Sequence, residues 1–205
     1  IRDSMAGIGT VTFYDPATGA FGALGHGIND TDTALLMPLE SGSILPATVA
    51  GVEKGRSGAP GQLKGVFDTA STLGLLRANT AGGVFGTLTD GRWVDGAAVE
   101  VAARDEVSPG PAQILCNISG DRVDKFQVEI SKVFAEREDD CRDYLIKVTD
   151  QRLLDATGGI VQGMSGSPIL QNGKIVGAVT HVMVDDPTSG YGIYVGRMLR
   201  LDGAA

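Results

Sequence analysis

Glycine is the residue that most limits what this chain can become. It fills 30 of 205 positions, about twice ordinary usage, and follows no Gly-x-y period. A glycine inside a helix costs about 1 kcal/mol relative to alanine, so any helix here has to be short. Turns and bulges, by contrast, exploit its backbone freedom. The expectation is many short strands with tight joints.

The strand-like runs agree. Residues 9–14 alternate and are rich in β-branched and aromatic types, residues 15–19 read as a turn, and residues 21–26 as the returning strand. Residues 113–118 and 125–131 flank the polar turn Ser119-Gly-Asp121. In the second run Phe126, Val128 and Ile130 share one face and Lys125, Gln127 and Glu129 the other, the period of a half-buried strand. Residues 144–149 form another strand. Residues 168–182 form the clearest hairpin, because Asn172-Gly173 favours a two-residue type I′ turn. Helical signals are confined to residues 150–156, with Asp150 as cap and Gly158-Gly159 as stop, and to residues 197–201. Ser4, Ser57 and the stretch 80–86 read as turns. The pattern predicts an all-β fold, a barrel or pair of barrels, divided near residues 105–111 into an N-terminal barrel (1–105) and a C-terminal barrel (106–205).

Bulk properties exclude several functions. A net charge of -8 argues against a nucleic-acid partner, since phosphate binding needs a basic face. No apolar run approaches the roughly 18 residues that span a bilayer, and no signal peptide precedes Ile1. The opening looks like that of a trimmed domain, and no membrane contact is expected from it. Cys116 and Cys141 belong to no Cys-x-x-Cys pair, and only two histidines exist, so no zinc site is expected. Cys116 reads as a buried free thiol; a bond to Cys141 stays open. The acidic stretch 136–143 reads as a solvated loop without EF-hand spacing. No phosphate-loop spacing occurs, and no metal or cofactor is called for.

One cluster asks for chemistry. Gly163-Met-Ser-Gly-Ser-Pro168 places Ser165 in a glycine-rich turn, which can aim a hydroxyl outward and let the amides of Gly163 and Ser165 converge as an oxyanion hole. Ser167 also follows a glycine, but Pro168 follows it directly. His26, between two glycines in Leu24-Gly-His-Gly-Ile28, is the candidate base, because an imidazole titrates near neutral pH. The order His…Ser across half the chain matches double-barrel peptidases rather than α/β-hydrolases, which run Ser…Asp…His. The strand Thr180-His-Val182 would then line the pocket beside the scissile bond and pair with extended substrate. On that reading His181 hydrogen-bonds a polar substrate side chain; the alternative is a core histidine satisfied by backbone.

These same blocks carry a family resemblance. Leu24-Gly-His-Gly-Ile28, the run from Gly158 to Pro168, Thr180-His-Val182 with Asp186-Pro-Thr-Ser-Gly-Tyr191, and the opening Arg2-Asp-Ser-x-Ala-Gly-Ile-Gly-Thr10 resemble the SpoIVB family of sporulation serine peptidases. The resemblance implies a trypsin-like double-barrel serine endopeptidase, secreted or membrane-anchored, in the space between mother cell and forespore. It implies self-cleavage in the N-terminal region, then cleavage of a protein that restrains an intramembrane protease. Family members carry a membrane segment and a PDZ domain, so this chain resembles the isolated peptidase domain. By resemblance the triad acid is Asp150. Double-barrel topology also admits Asp68, or Asp30 and Asp32 near His26, and Asp150 could merely cap a helix. The rival from another class is a non-catalytic β-domain that pairs a partner strand along its edge.

Overall fold

The computed structural model describes residues 5–94, 96–137 and 140–203; Ser4 and, in the acidic stretch, Glu138 and Asp139 lie outside them. Thirteen strands form within these residues, in an open sheet, a closed barrel and a small separate ribbon. β1 (Val11–Tyr14), β2 (Ala20–Ala23), β3 (Ser43–Ile44), β6 (Gly74–Thr80) and β7 (Gly83–Leu88) make an open sheet in the order β1-β2-β7-β6-β3. β4 (Ala47–Glu53) and β5 (Gln62–Phe67) stand apart as a two-stranded ribbon. β8 (Gly110–Ser119), β9 (Arg122–Val133), β10 (Tyr144–Val148), β11 (Pro168–Gln171), β12 (Lys174–Val182) and β13 (Ser189–Tyr194) close into a barrel, β10-β13-β12-β11-β8-β9. The expected second barrel is thus a half-barrel: five strands of uneven length leave its edges open.

The C-terminal barrel forms where the pattern is strongest. On β9 Phe126, Val128 and Ile130 are buried while Lys125, Gln127 and Glu129 face water. Ile114, Ile130, Ile146 and Ile169 are wholly buried in the interior, and each such side chain contributes about 1.5–3 kcal/mol by leaving water. Asn172 and Gly173 take left-handed backbone (φ 53° and 78°) between β11 and β12, as a type I′ turn requires. The short helix α1 (Gln151–Thr157) starts at Asp150, whose carboxylate accepts from the Arg152 amide. The predicted C-terminal turn is longer than expected: α2 runs Val195–Gly203.

Two readings need correction. The stretch 80–86 is a turn only at Ala81-Gly82; its second half is β7, where Val84 and Phe85 are buried. The acidic stretch is not wholly a solvated loop either. The Asp143 side chain is 1% exposed, 3.0 Å from Arg104 and 3.1 Å from Arg197. Its other oxygen accepts from the Tyr194 amide. This ion cluster ties α2 to the barrel. Met198 of α2 then packs with Phe85, Ala178 and Ile193, bridging the open sheet and the barrel. Both cysteines are free thiols, and burial pushes Cys116 up to about 12.

Candidate active site

The site lies in the seam between the open sheet and the barrel. β2 stops at Ala23 because the chain turns out of extended backbone, with Leu24 at φ 68° and Gly25 at φ 72°. A left-handed leucine costs roughly 1–2 kcal/mol, a strain of the kind stored where geometry serves a function. Gly25 lets the turn sit on β12: a Cβ there would lie 2.8 Å from the Thr180 methyl and 2.9 Å from that of Ile193. The turn delivers His26, half-buried, to the cleft.

Ser165 arrives from the other side, in the loop between α1 and β11. Thr10 donates its amide to the Ser165 carbonyl at 2.8 Å, and the Thr12 hydroxyl donates to the Gly166 carbonyl at 2.8 Å. Gly166 has φ 90°, and a side chain there would strike the Thr10 carbonyl and the Leu24 amide. The serine loop is therefore held by β1 as much as by the barrel. Ser167, the other candidate, is wholly buried with its hydroxyl unpartnered among the described residues, which removes it from consideration as a nucleophile.

The two groups meet. His26 Nε2 is 2.9 Å from Ser165 Oγ, and His26 Nδ1 is 2.9 Å from the Gly27 carbonyl. A carbonyl can only accept, so Nδ1 carries a proton, and in the neutral ring Nε2 is then bare. That is the tautomer able to take a hydroxyl proton. Ser165 Oγ also lies 3.0 Å from the Thr180 carbonyl. The Gly163 and Ser165 amides donate to no acceptor among the described residues, whereas Met164 donates to Val161 and Gly166 to Val179. Two free amides beside a hydroxyl are able to receive an oxyanion.

Among the described residues no carboxylate hydrogen-bonds His26. Asp150, expected by resemblance to orient His26, instead caps α1: its oxygens accept from the amides of Gln127 and Arg152 and from the Arg152 guanidinium. The Arg152 side chain is the main reason its carboxyl is held down to about 2, with burial opposing. Asp68 accepts from the Ala70 amide and Asp30 from Thr33 and Asp32. None of the four candidate acids hydrogen-bonds His26. The Gly27 carbonyl sits where the acid was expected, and a backbone group leaves no mark in a sequence.

His181 does reach the site. Its ring centroid is 5.1 Å from that of His26, tilted by 40°. Packing around the ring, then a positive charge on His26 whenever that ring is protonated, and the Arg142 charge push its pKa down, with Asp140 opposing. Water on its open face offsets part of that push, and the direction leaves the ring neutral at pH 7. It is not the buried core histidine of the alternative reading. Thr180 turns its hydroxyl to the Tyr191 carbonyl, and Val182 pairs with Gly190. The cleft enclosed by these groups measures about 570 Å³, and residues 5–8 form one of its walls. Among the described residues no cluster of His, Cys, Asp and Glu could hold a metal ion, and no helix is long and apolar enough to cross a membrane.

Comparison with known proteins gives a family and some distant likenesses. The active form of the Rv3671c protease from M. tuberculosis shares 15% identity, covering 98% of this chain and 91% of that one, at a TM-score of 0.48. An inactive serine-to-alanine mutant from M. tuberculosis H37Rv also shares 15%, covering 97% and 98%, at 0.47. No curated protein matches significantly. The model of the SpoIVB peptidase S55 family matches residues 1–199, and the chain belongs to that family of serine endopeptidases.

Proposed function

We propose that this peptidase uses His26 and Ser165 as base and nucleophile, cuts within its own N-terminal region, and then cleaves a protein regulator of an intramembrane protease during sporulation. Its place of action is extracytoplasmic. The observation that carries the reading is the 2.9 Å approach of a bare Nε2 to Ser165 Oγ.

His26 takes the hydroxyl proton as Oγ bonds to the scissile carbonyl carbon. The carbonyl oxygen becomes an oxyanion facing the Gly163 and Ser165 amides, each donor worth roughly 3 kcal/mol in such sites. His26 then gives the proton to the departing amine as the peptide C–N bond breaks. Water, deprotonated by the same imidazole, resolves the acyl-enzyme and restores Ser165. No cofactor takes part.

Substrate is expected to bind as an added strand. β11 pairs with β12 only as far as Ala178, and β13 covers the other edge through Val182. From Thr180 to Val182 one edge of β12 beside Ser165 has no backbone partner among the described residues, the setting for β-augmentation. Residues 5–8 in the cleft wall support the self-processing part of the proposal, because the chain's own N-terminal segment already runs along the site.

A serine-directed fluorophosphonate tests the chemistry. Wild type should label promptly, Ser165→Ala not at all, and His26→Ala far more slowly. Absence of labelling in folded wild type would instead favour a domain that only binds strands. Mass spectrometry of the N-terminus tests self-processing: new termini should appear in wild type and be missing in Ser165→Ala.

A further inference from the structure

The bare Nε2 depends on the proton staying on Nδ1, and what holds that proton is a peptide carbonyl rather than an acid. The Gly27 carbonyl and the Ile28 N–H belong to one peptide group. The Ile28 N–H donates to Asn79 Oδ1 at 2.8 Å. Asn79 Nδ2 donates to the Ile28 carbonyl at 2.8 Å and to the Met37 carbonyl at 2.9 Å. The chemistry fixes the orientation of this amide, because one backbone partner can only donate and the other two can only accept.

Asn79 reaches the site from β6, 51 residues beyond Ile28. It spans both arms of the small hairpin that follows His26, where Met37 donates to the Ile28 carbonyl and Asp30 to the Leu35 carbonyl. A side chain at position 27 would strike the Leu36 side chain and the Thr80 carbonyl, so only glycine fits there. The peptide therefore has little freedom to rotate while Asn79 is in place.

We infer that Asn79 is a positioning residue for catalysis, aiming and polarising the Gly27–Ile28 peptide so that its carbonyl does for His26 what a carboxylate does in a Ser-His-Asp triad. An acceptor on the N–H side of a peptide withdraws its proton and strengthens the carbonyl at the other end, since hydrogen bonds in a chain polarise one another. The relay runs Asn79 Oδ1, Ile28 N–H, Gly27 C=O, His26 Nδ1–H, then bare Nε2 and Ser165. This rests on the reading of His26 and Ser165 as base and nucleophile. Unlike a carboxylate, the relay has no net charge with which to stabilise the imidazolium. Among the described residues the imidazole that faces His26 is that of His181, neutral at pH 7.

Two substitutions separate this role from simple support of the hairpin. Asn79→Leu removes every bond of the amide. Asn79→Asp loses the two Nδ2 donations and sets an oxygen against two carbonyls, yet keeps a stronger acceptor for the Ile28 N–H. The His26 Nδ1 proton is read by NMR, assigned with a His181→Gln variant because the chain holds two histidines. The expected order of the resonance, from most downfield, is Asp, Asn, Leu. For Asn79→Leu kcat should fall about 10- to 100-fold, the range for partners that orient a functional imidazole, with KM within about twofold. Asn79→Asp should retain more kcat than Asn79→Leu. A hairpin support alone would make both variants equally poor and move the resonance the same way in each; that result overturns the inference. So does wild-type kcat in folded Asn79→Leu. If wild type itself escapes the fluorophosphonate, the base–nucleophile reading fails first, and the two failures are told apart.

Discussion

The closed barrel and the open sheet treat their edges in opposite ways. In the barrel every strand has two neighbours, so unpaired backbone is confined to strand ends such as Thr180–Val182 of β12. In the N-terminal sheet β1 and β3 are edges, and the β4–β5 ribbon stands outside it. Burial follows pairing: alternate residues of β9 are fully buried, whereas β4 buries none of its residues and β5 only Leu63. Each system supplies one member of the hydrogen-bonded His26–Ser165 pair. The barrel contributes the serine on a loop fixed at both ends, and the sheet contributes the histidine just past the end of a short strand. Stability is thus concentrated on the Ser165 side, while alignment depends on the seam, through Thr10, Gly25 and Gly166.

The difference in core depth predicts the largest energetic contrast. Ile146→Ala, at a wholly buried barrel position, should cost about 2–5 kcal/mol of global stability. Val52→Ala in the ribbon, only partly buried, should cost about 1 kcal/mol or less. Denaturant titration measures both, and native-state hydrogen exchange should show ribbon amides opening well before those of β8 and β9. Equal protection of ribbon and barrel amides would mean that the two unfold as one unit. At the seam, Gly166→Ala drives a methyl group into the Thr10 carbonyl and the Leu24 amide at φ 90°. A displacement near 1 Å can cost about 100-fold in rate, so labelling by fluorophosphonate should drop by that order while barrel amides keep their protection.

The same contrast decided what was legible in the sequence. β9 and the β11–β12 hairpin could be read because one face is buried and the turn demands Asn172-Gly173. β6 and β7 could not: Gly74, Gly83 and Gly86 replace apolar alternation, and Leu75 faces water. Gly86 is a glycine because a side chain there would meet the Leu75 carbonyl of the neighbouring strand, a cause visible only once the strands are paired. His26 and Ser165 stood out by their glycine frames. Asp143 was hidden in an acidic run beside the exposed Glu136 and the half-buried Asp140, and Asn79 was silent because its partners are backbone groups.

A smaller effect tests the cleft itself. His181→Ala should change relative kcat/KM among peptides by roughly tenfold, the scale of modest pocket changes. Acylation by the small fluorophosphonate, which needs no strand pairing, should change much less. Equal losses in both would show that His181 supports His26 rather than selecting substrate.

The smallest effect belongs to Asp150, and it separates the two systems most cleanly. As the cap of α1, Asp150→Ala should lower stability by about 1 kcal/mol. As a triad acid it would cost kcat about 10⁴-fold. Its carboxyl is held at about 2 in the folded chain, against an ordinary 3.8, mainly by Arg152. A depressed folded pKa stabilises above the unfolded value and loses that stabilisation as pH falls toward the folded one. Wild type should therefore exceed Asp150→Asn in stability at pH 5–7, and the gap should close between about 3.8 and 2. The Arg152 side chain is 66% exposed, so water screens the pair and the gap stays small. Urea titrations across that range measure it. Near-wild-type kcat in Asp150→Asn and Asp150→Ala, beside a small acid-labile stability loss, places this aspartate wholly in the barrel's architecture; a fall of several orders at pH 7 would return it to the site and remove the Gly27 carbonyl from its place.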